Sequence, residues 1–125
     1  ADNPPNAIGG MALGAGPITA AIITLADFQH KELKGFIVRK EPKAHGTGRM
    51  VEGPVESGDR VVIVEDVVTT GGSSLQAIQH CEQFGLEVTG VLAIIDRLEG
   101  GAEAFAAKGY QLRTLLTVRD FGIKP

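Results

Sequence analysis

The chain has 125 residues, of which 43% are apolar and 22% charged, with a formal net charge of −3. This is an ordinary globular balance, and the length favours one domain over residues 1–125 with room for a real core. No long basic run offers a footprint for nucleic acid, and the lone Cys81 excludes an intrachain disulfide and fits a reducing cytoplasm.

The predicted elements alternate along the chain. Residues 1–6 form a polar, proline-bearing lead, residues 7–9 end a strand, and residues 10–16 read as a glycine-rich loop. Residues 17–27 read as a helix with Pro17 in its first turn. The stretch 7–26 carries no charge and has the length of a membrane span, but Gly9, Gly10, Gly14, Gly16 and Pro17 break it, so no span is expected. Residues 35–39 form a short apolar strand, and residues 40–58 form a long loop rich in glycine and proline. Loops of that length in compact domains are usually functional.

Residues 60–68, Arg-Val-Val-Ile-Val-Glu-Asp-Val-Val, make the strongest strand, and its β-branched run predicts burial on both faces, as in a parallel sheet. A loop over 69–74 leads into a helix ending at Phe84, with Ser73 or Ser74 expected as its cap. Leu75, Ile78 and Cys81 mark its buried stripe, with Cys81 a core residue, and Gly85 ends it. A strand over 88–95 runs into Asp96-Arg97, followed by an alanine-rich helix over 100–108 and a last strand over 111–117. The expectation is an α/β fold: a Rossmann-like parallel sheet of about five strands flanked by helices.

Open α/β sheets bind ligands at the carboxyl ends of their strands. Here that edge reads Glu65-Asp66-Val67-Val68-Thr69-Thr70-Gly71-Gly72-Ser73-Ser74. Glycines let backbone amides turn inward, the helix N-terminus adds partial positive charge, and the hydroxyls add donors. The Gly-Lys-Ser/Thr ending of a Walker loop is missing. Carboxylates repel a polyphosphate but suit the vicinal hydroxyls of a ribose. A hydroxyl-accepting pair beside a phosphate cradle describes a ribose 5-phosphate, whereas a bare turn with a helix cap would not need the whole run.

This run resembles the phosphoribosyl-pyrophosphate signature of type I phosphoribosyltransferases. The resemblance implies the fold of that family, with Glu65 and Asp66 facing the ribose hydroxyls and Val67, Val68, Thr69, Thr70, Gly71, Gly72 and Ser73 forming the 5-phosphate site. Between Arg39 and Arg49 lie four of the chain's 12 Lys and Arg residues. This basic loop reads either as a solvated surface or as a clamp for a pyrophosphate leaving group. Its wording, Arg-Lys-Glu-Pro-Lys-Ala-His-Gly, is similar to the catalytic loop of the orotate-specific branch. That similarity implies pyrophosphate contacts from Arg39, Lys40, Lys43 and His45, with Lys40, Lys43, His45 and Asp66 as the catalytic set. It also implies a homodimer whose loop reaches the neighbouring site.

Asp96-Arg97 also sits at the carboxyl edge. Arg97 pairs either with a surface carboxylate or with a substrate carboxylate in a bidentate fork. The orotate branch has Asp-Arg at this place, which makes Arg97 the orotate candidate. Residues 9–17 look like the family's pyrophosphate loop, with Gly9 and Gly10 admitting backbone amides to the diphosphate.

The resemblance thus implies an enzyme that converts orotate and phosphoribosyl pyrophosphate to orotidine 5-phosphate, with Mg²⁺ bound through the substrate and no direct protein ligand for it assigned. His30, His45 and His80 have no ligand spacing. The family's usual N-terminal segment, which helps form a hood over the base, is not in this sequence. A reduced or missing hood is therefore expected, and two further readings stay open: a truncated paralogue that binds without turnover, and a transferase for another base.

Overall fold

A computed structural model describes residues 5–11, 15–28, 32–39, 50–122 and 124, the side chains of Asp27 and Phe28 excepted. In chain order the elements are β1 (Ala7–Met11), α1 (Gly16–Phe28), β2 (Lys34–Val38), β3 (Val51–Glu52), β4 (Arg60–Val68), α2 (Gly72–Phe84), β5 (Glu87–Asp96), α3 (Gly101–Ala107) and β6 (Leu112–Thr117). A short 3-10 helix, Val118–Phe121, follows β6. The strands form one sheet in the order β3-β2-β1-β4-β5-β6. All pairings are parallel except that of β3 with β2. Among the described residues no helix is long and apolar enough to cross a membrane.

The parallel sheet and its alternation with helices match the expectation, but the sheet has six strands rather than about five. The extra one, β3, lies inside the expected long loop and pairs antiparallel with the end of β2, Ile37 opposite Glu52 and Val38 opposite Val51. Two residues are too few to show a period of two, so its pattern was not legible. Residues 40–49 lie outside the described residues, and with them the expected pyrophosphate contacts Lys40, Lys43 and His45.

Strand β1 runs two residues beyond its expected end, to Met11, so that Gly10 as well as Gly9 lies inside it. Both are needed there as glycines. A Cβ on Gly9 would stand 2.3 Å from the Phe36 carbonyl oxygen, and one on Gly10 2.4 Å from that of Val64. Neighbouring strands therefore close over β1 where a side chain would project.

Alternation along β4 divides the core. Val61 and Ile63 face one side with Ala77, Ile78 and Cys81 of α2 and Phe105 of α3. Val62 and Val64 face the other with Ile18, Ile22 and Ile23 of α1. Cys81 is fully buried, as its place on the helical stripe required. The expected serine cap is not the one used. The N-cap of α2 is Gly71 in the left-handed region (φ 89°), without a side-chain cap, and Ser73 and Ser74 fall inside the first turn. A residue at positive φ there favours glycine over serine.

Candidate active site at the carboxyl edge of the sheet

Because β1, β2, β4, β5 and β6 run parallel, their carboxyl ends share one edge. The ends of β4 and β5 are in register, Val68 beside Asp96, and the Arg97 amide donates to the Val68 carbonyl across 2.9 Å. The loop after β4 is thereby fixed beside the turn after β5. It also rests on the start of α3. A Cβ on Gly71 would meet the Phe105 ring at 3.3 Å, and one on Gly101 would meet Val68 Cγ1 at 2.4 Å and the Thr69 carbonyl oxygen at 3.0 Å.

The first intrahelical bond at the head of α2 runs from the Leu75 amide to the Gly71 carbonyl, 2.9 Å. The amides of Gly72, Ser73 and Ser74 precede it and point out of the open end of the helix. Thr70, Gly72 and Ser73 are exposed around them and Thr69 is half-buried. Open amides at a helix N-terminus, flanked by exposed hydroxyl-bearing residues, suit an anion. Val67 is exposed beside it, whereas the Val68 side chain belongs to the core and leaves only its backbone at the edge.

The two adjacent carboxylates occupy different environments. Asp66 is exposed, and its Oδ1 accepts the Val67 amide at 2.8 Å. Glu65 is buried behind it, where its Oε2 accepts the Ser74 hydroxyl at 3.2 Å. Burial first, and then the neighbouring Asp66 carboxyl, push Glu65 above the usual carboxylate range; the Ser74 hydroxyl opposes this. Asp66 is thus the carboxylate open to a ligand. Glu65 also borders an apolar cavity of 410 Å³ whose walls include Ile18 and Ile22 of α1 and Leu92 and Ile94 of β5. A larger cleft of 730 Å³ runs along the outer side of α2 and touches this edge only at Gly72.

Arg39 follows the end of β2, with its amide donating to the Met50 carbonyl at 2.7 Å. Its guanidinium meets Glu52 of β3 through Nε, 3.0 Å from Oε1, and Nη2, 3.1 Å from Oε2. At Nε the approach is an ion pair without hydrogen-bond alignment, and the aligned bond is the one from Nη2. Arg97 is exposed, with Nε 2.9 Å from Glu99 Oε2. Between them Leu98 sits at φ 60°, its amide donating to the buried Asp96 at 2.8 Å. Three of these features are not legible in the sequence. Ser74 and Glu52 carry no local signal for their contacts, and a positive φ at a leucine is not written in its identity.

The structure brings Asp66, Thr69, Thr70, Gly71, Gly72, Ser73 and Arg97 to one edge, with Arg39 at the same edge of β2. Gly9 and Gly10 lie in the paired part of β1 rather than in a loop. Among the described residues no cluster of three or more His, Cys, Asp or Glu could hold a metal.

Comparison with known proteins accords with this geometry. Residues 12–116 match the phosphoribosyl transferase domain family. The orotate phosphoribosyltransferase of Rhodopirellula baltica is 65% identical over 121 residues, which are 97% of this chain and 63% of that protein. That of Aquifex aeolicus is 47% identical over 116 residues, 93% of this chain and 63% of its own length. The chain therefore spans about 63% of the length of these relatives. Among solved structures, Mycobacterium tuberculosis orotate phosphoribosyltransferase in complex with Fe(III) dicitrate superposes with a TM-score of 0.85 at 40% identity, over 98% of this chain and 68% of that one. The same enzyme in complex with 5-phospho-α-D-ribosyl 1-diphosphate gives 0.81 at 37% identity, over 97% and 68%. The chain belongs to the phosphoribosyl transferase domain family, as a type I phosphoribosyltransferase similar to the orotate phosphoribosyltransferases.

Proposed function

We propose that this chain transfers the ribose 5-phosphate group of phosphoribosyl pyrophosphate to orotate, giving orotidine 5-phosphate and pyrophosphate. The observation that carries the reading is the open head of α2 beside an exposed Asp66. The cradle from Thr69 to Ser73 holds the 5-phosphate, and Asp66, backed by Glu65, accepts the ribose hydroxyls. Arg39, with Lys40, Lys43 and His45 of the basic loop, takes the pyrophosphate. Gly9 and Gly10, near the end of β1, let backbone amides approach the diphosphate. Arg97 holds the orotate carboxylate in place of Glu99.

The reaction needs no covalent nucleophile. As pyrophosphate leaves, C1 of the ribose gains oxocarbenium character, and the loop cations stabilise the departing charge. Asp66 fixes the ribose hydroxyls next to that carbon and adds negative charge near it. Asp66, with its exposed carboxylate, is the residue that would hold Mg²⁺ at this edge. When bound, the ion neutralises charge on the pyrophosphate. The reading extends to a homodimer that shares the basic loop and to a cytoplasmic setting, with which the buried thiol of Cys81 is compatible.

Incubating the chain with orotate, phosphoribosyl pyrophosphate and Mg²⁺ while following orotate absorbance tests the activity. Orotate loss with pyrophosphate release is expected. Binding of phosphoribosyl pyrophosphate without orotate loss would reduce the chain to a binding module, and turnover of uracil or a purine instead would move it to another base. Asp66→Asn is expected to weaken phosphoribosyl pyrophosphate binding at least tenfold by calorimetry. Unchanged affinity would overturn the ribose assignment.

A further inference from the structure

We infer that Glu52 is a positioning residue that holds the Arg39 guanidinium in the orientation in which it meets the pyrophosphate group. The inference rests on the transferase reading above and adds a residue that this reading does not contain. Its basis is the pairing of β2 with β3. Ile37 lies opposite Glu52, and the Arg39 amide bonds to Met50, so the antiparallel ladder continues one residue past the strand. Positions 37 and 39 of one strand and 50 and 52 of the other therefore share a face, and Arg39 and Glu52 are diagonal neighbours on it.

The contact uses one side of the guanidinium. Nε and Nη2 face the two carboxylate oxygens at 3.0 and 3.1 Å. Arginine has five N–H donors in a rigid plane, so a carboxylate on the Nε–Nη2 side leaves the Nη1 end directed away from it. A planar cation held along one edge meets a second anion at a fixed angle with little further loss of rotamer freedom. Arg39 is also half-buried, about 32% exposed at its side chain. Without Glu52 the buried Nε would lose the carboxylate that faces it among the described residues, and the side chain would turn toward water. An ordinary edge-strand ion pair would contribute little to stability and nothing to anion affinity, and this difference separates the two roles.

Calorimetric titration of the full chain with inorganic pyrophosphate and Mg²⁺ provides the test. Glu52→Gln keeps the shape and removes the charge. It is expected to weaken pyrophosphate binding about five- to tenfold, raise KM for phosphoribosyl pyrophosphate, and leave both KM for orotate and the unfolding midpoint unchanged. Glu52→Asp, which keeps the carboxylate, is expected to recover part of the affinity. In an Arg39→Ala background, the effect of Glu52→Gln on pyrophosphate binding is expected to shrink to less than half. Equal or tighter pyrophosphate binding by Glu52→Gln overturns the inference, as does an undiminished effect in the Arg39→Ala background. Failure of the unsubstituted chain to bind pyrophosphate removes the transferase reading itself. Normal binding that ignores Glu52 removes only this inference.

Discussion

The Ser74 hydroxyl, on the first turn of α2, donates to the Glu65 carboxylate across 3.2 Å, and both residues are buried. The distance is long for a hydroxyl–carboxylate bond. It only partly offsets the desolvation of Glu65, whose proton affinity is raised by burial and by Asp66. A carboxyl with a raised folded-state pKa contributes stability that is fully present below its unfolded value and is lost as pH rises through the folded one. Glu65→Gln mimics the protonated form. It is expected to raise the unfolding temperature by a few degrees at pH 8, on the order of 1 kcal/mol, with the gain vanishing toward pH 4. Thermal scans across that range check this; a loss of stability at pH 8 would mean that the ionised carboxylate is well accommodated.

Ser74→Ala should act in the opposite sense. It removes the donor that favours the ionised form, so Glu65 moves further up. The cost is expected to be about 1–2 kcal/mol at pH 8, where Glu65 must ionise without its partner, and less at pH 5. Denaturant unfolding at the two pH values distinguishes this from a uniform packing loss, which would be equal at both.

These two residues also show what a linear sequence reveals. The run from Arg60 to Ser74 announced a buried parallel strand, a turn and a helix, because β-branched continuity and glycine placement are local properties. The division of labour between Glu65 and Asp66 was not local. Neighbours on a strand point to opposite faces, and only the position of α2 determines which carboxylate is covered. Likewise Gly9 and Gly10 suggested a loop, but what made them glycines was the approach of Phe36 and Val64 from adjacent strands. Strand β3 was hidden by its length, and the Arg39–Glu52 contact by its dependence on β3.

Gly101 packs the start of α3 against the loop after β4. Its Cβ would press on Val68 Cγ1 at 2.4 Å and on the Thr69 carbonyl oxygen at 3.0 Å. Gly101→Ala is therefore expected to cost about 1–3 kcal/mol through overpacking and to weaken phosphate binding by displacing Thr69. Gly16→Ala is the control. Nothing lies within 4 Å of its Cβ, and Ala favours a helix over Gly, so equal or higher stability is expected. Urea midpoints of the two variants give the comparison, and equal losses would point to a generic glycine effect rather than the contact with Val68.

Cys81 is fully buried between α2 and the sheet, and burial pushes its thiol up to about 12. The thiolate is the reactive form. The native chain is expected to resist a disulfide-exchange reagent at pH 8 for as long as it stays folded, then to react at once in denaturant. Reaction of the native protein within the mixing time would show that α2 opens readily from the sheet.

Arg97 gives a test that separates base recognition from phosphate recognition. Its contact with Glu99 is solvent-exposed on both sides, 56% and 40% at the side chains, and pairs of that kind contribute about 0–1 kcal/mol. Arg97→Lys should therefore leave the unfolding temperature nearly unchanged. Lysine keeps the charge but loses the planar fork that matches a carboxylate. The expected outcome is an increase of roughly tenfold or more in KM for orotate, corresponding to about 1.4 kcal/mol or more, with phosphoribosyl pyrophosphate affinity held. The turn should survive the substitution, because the Leu98 amide is fixed by Asp96 and the backbone of residue 97 by Val68. Steady-state kinetics with each substrate varied in turn decide the matter. If the two substrates lose affinity together, Arg97 acts on the shared phosphate site and the orotate assignment falls.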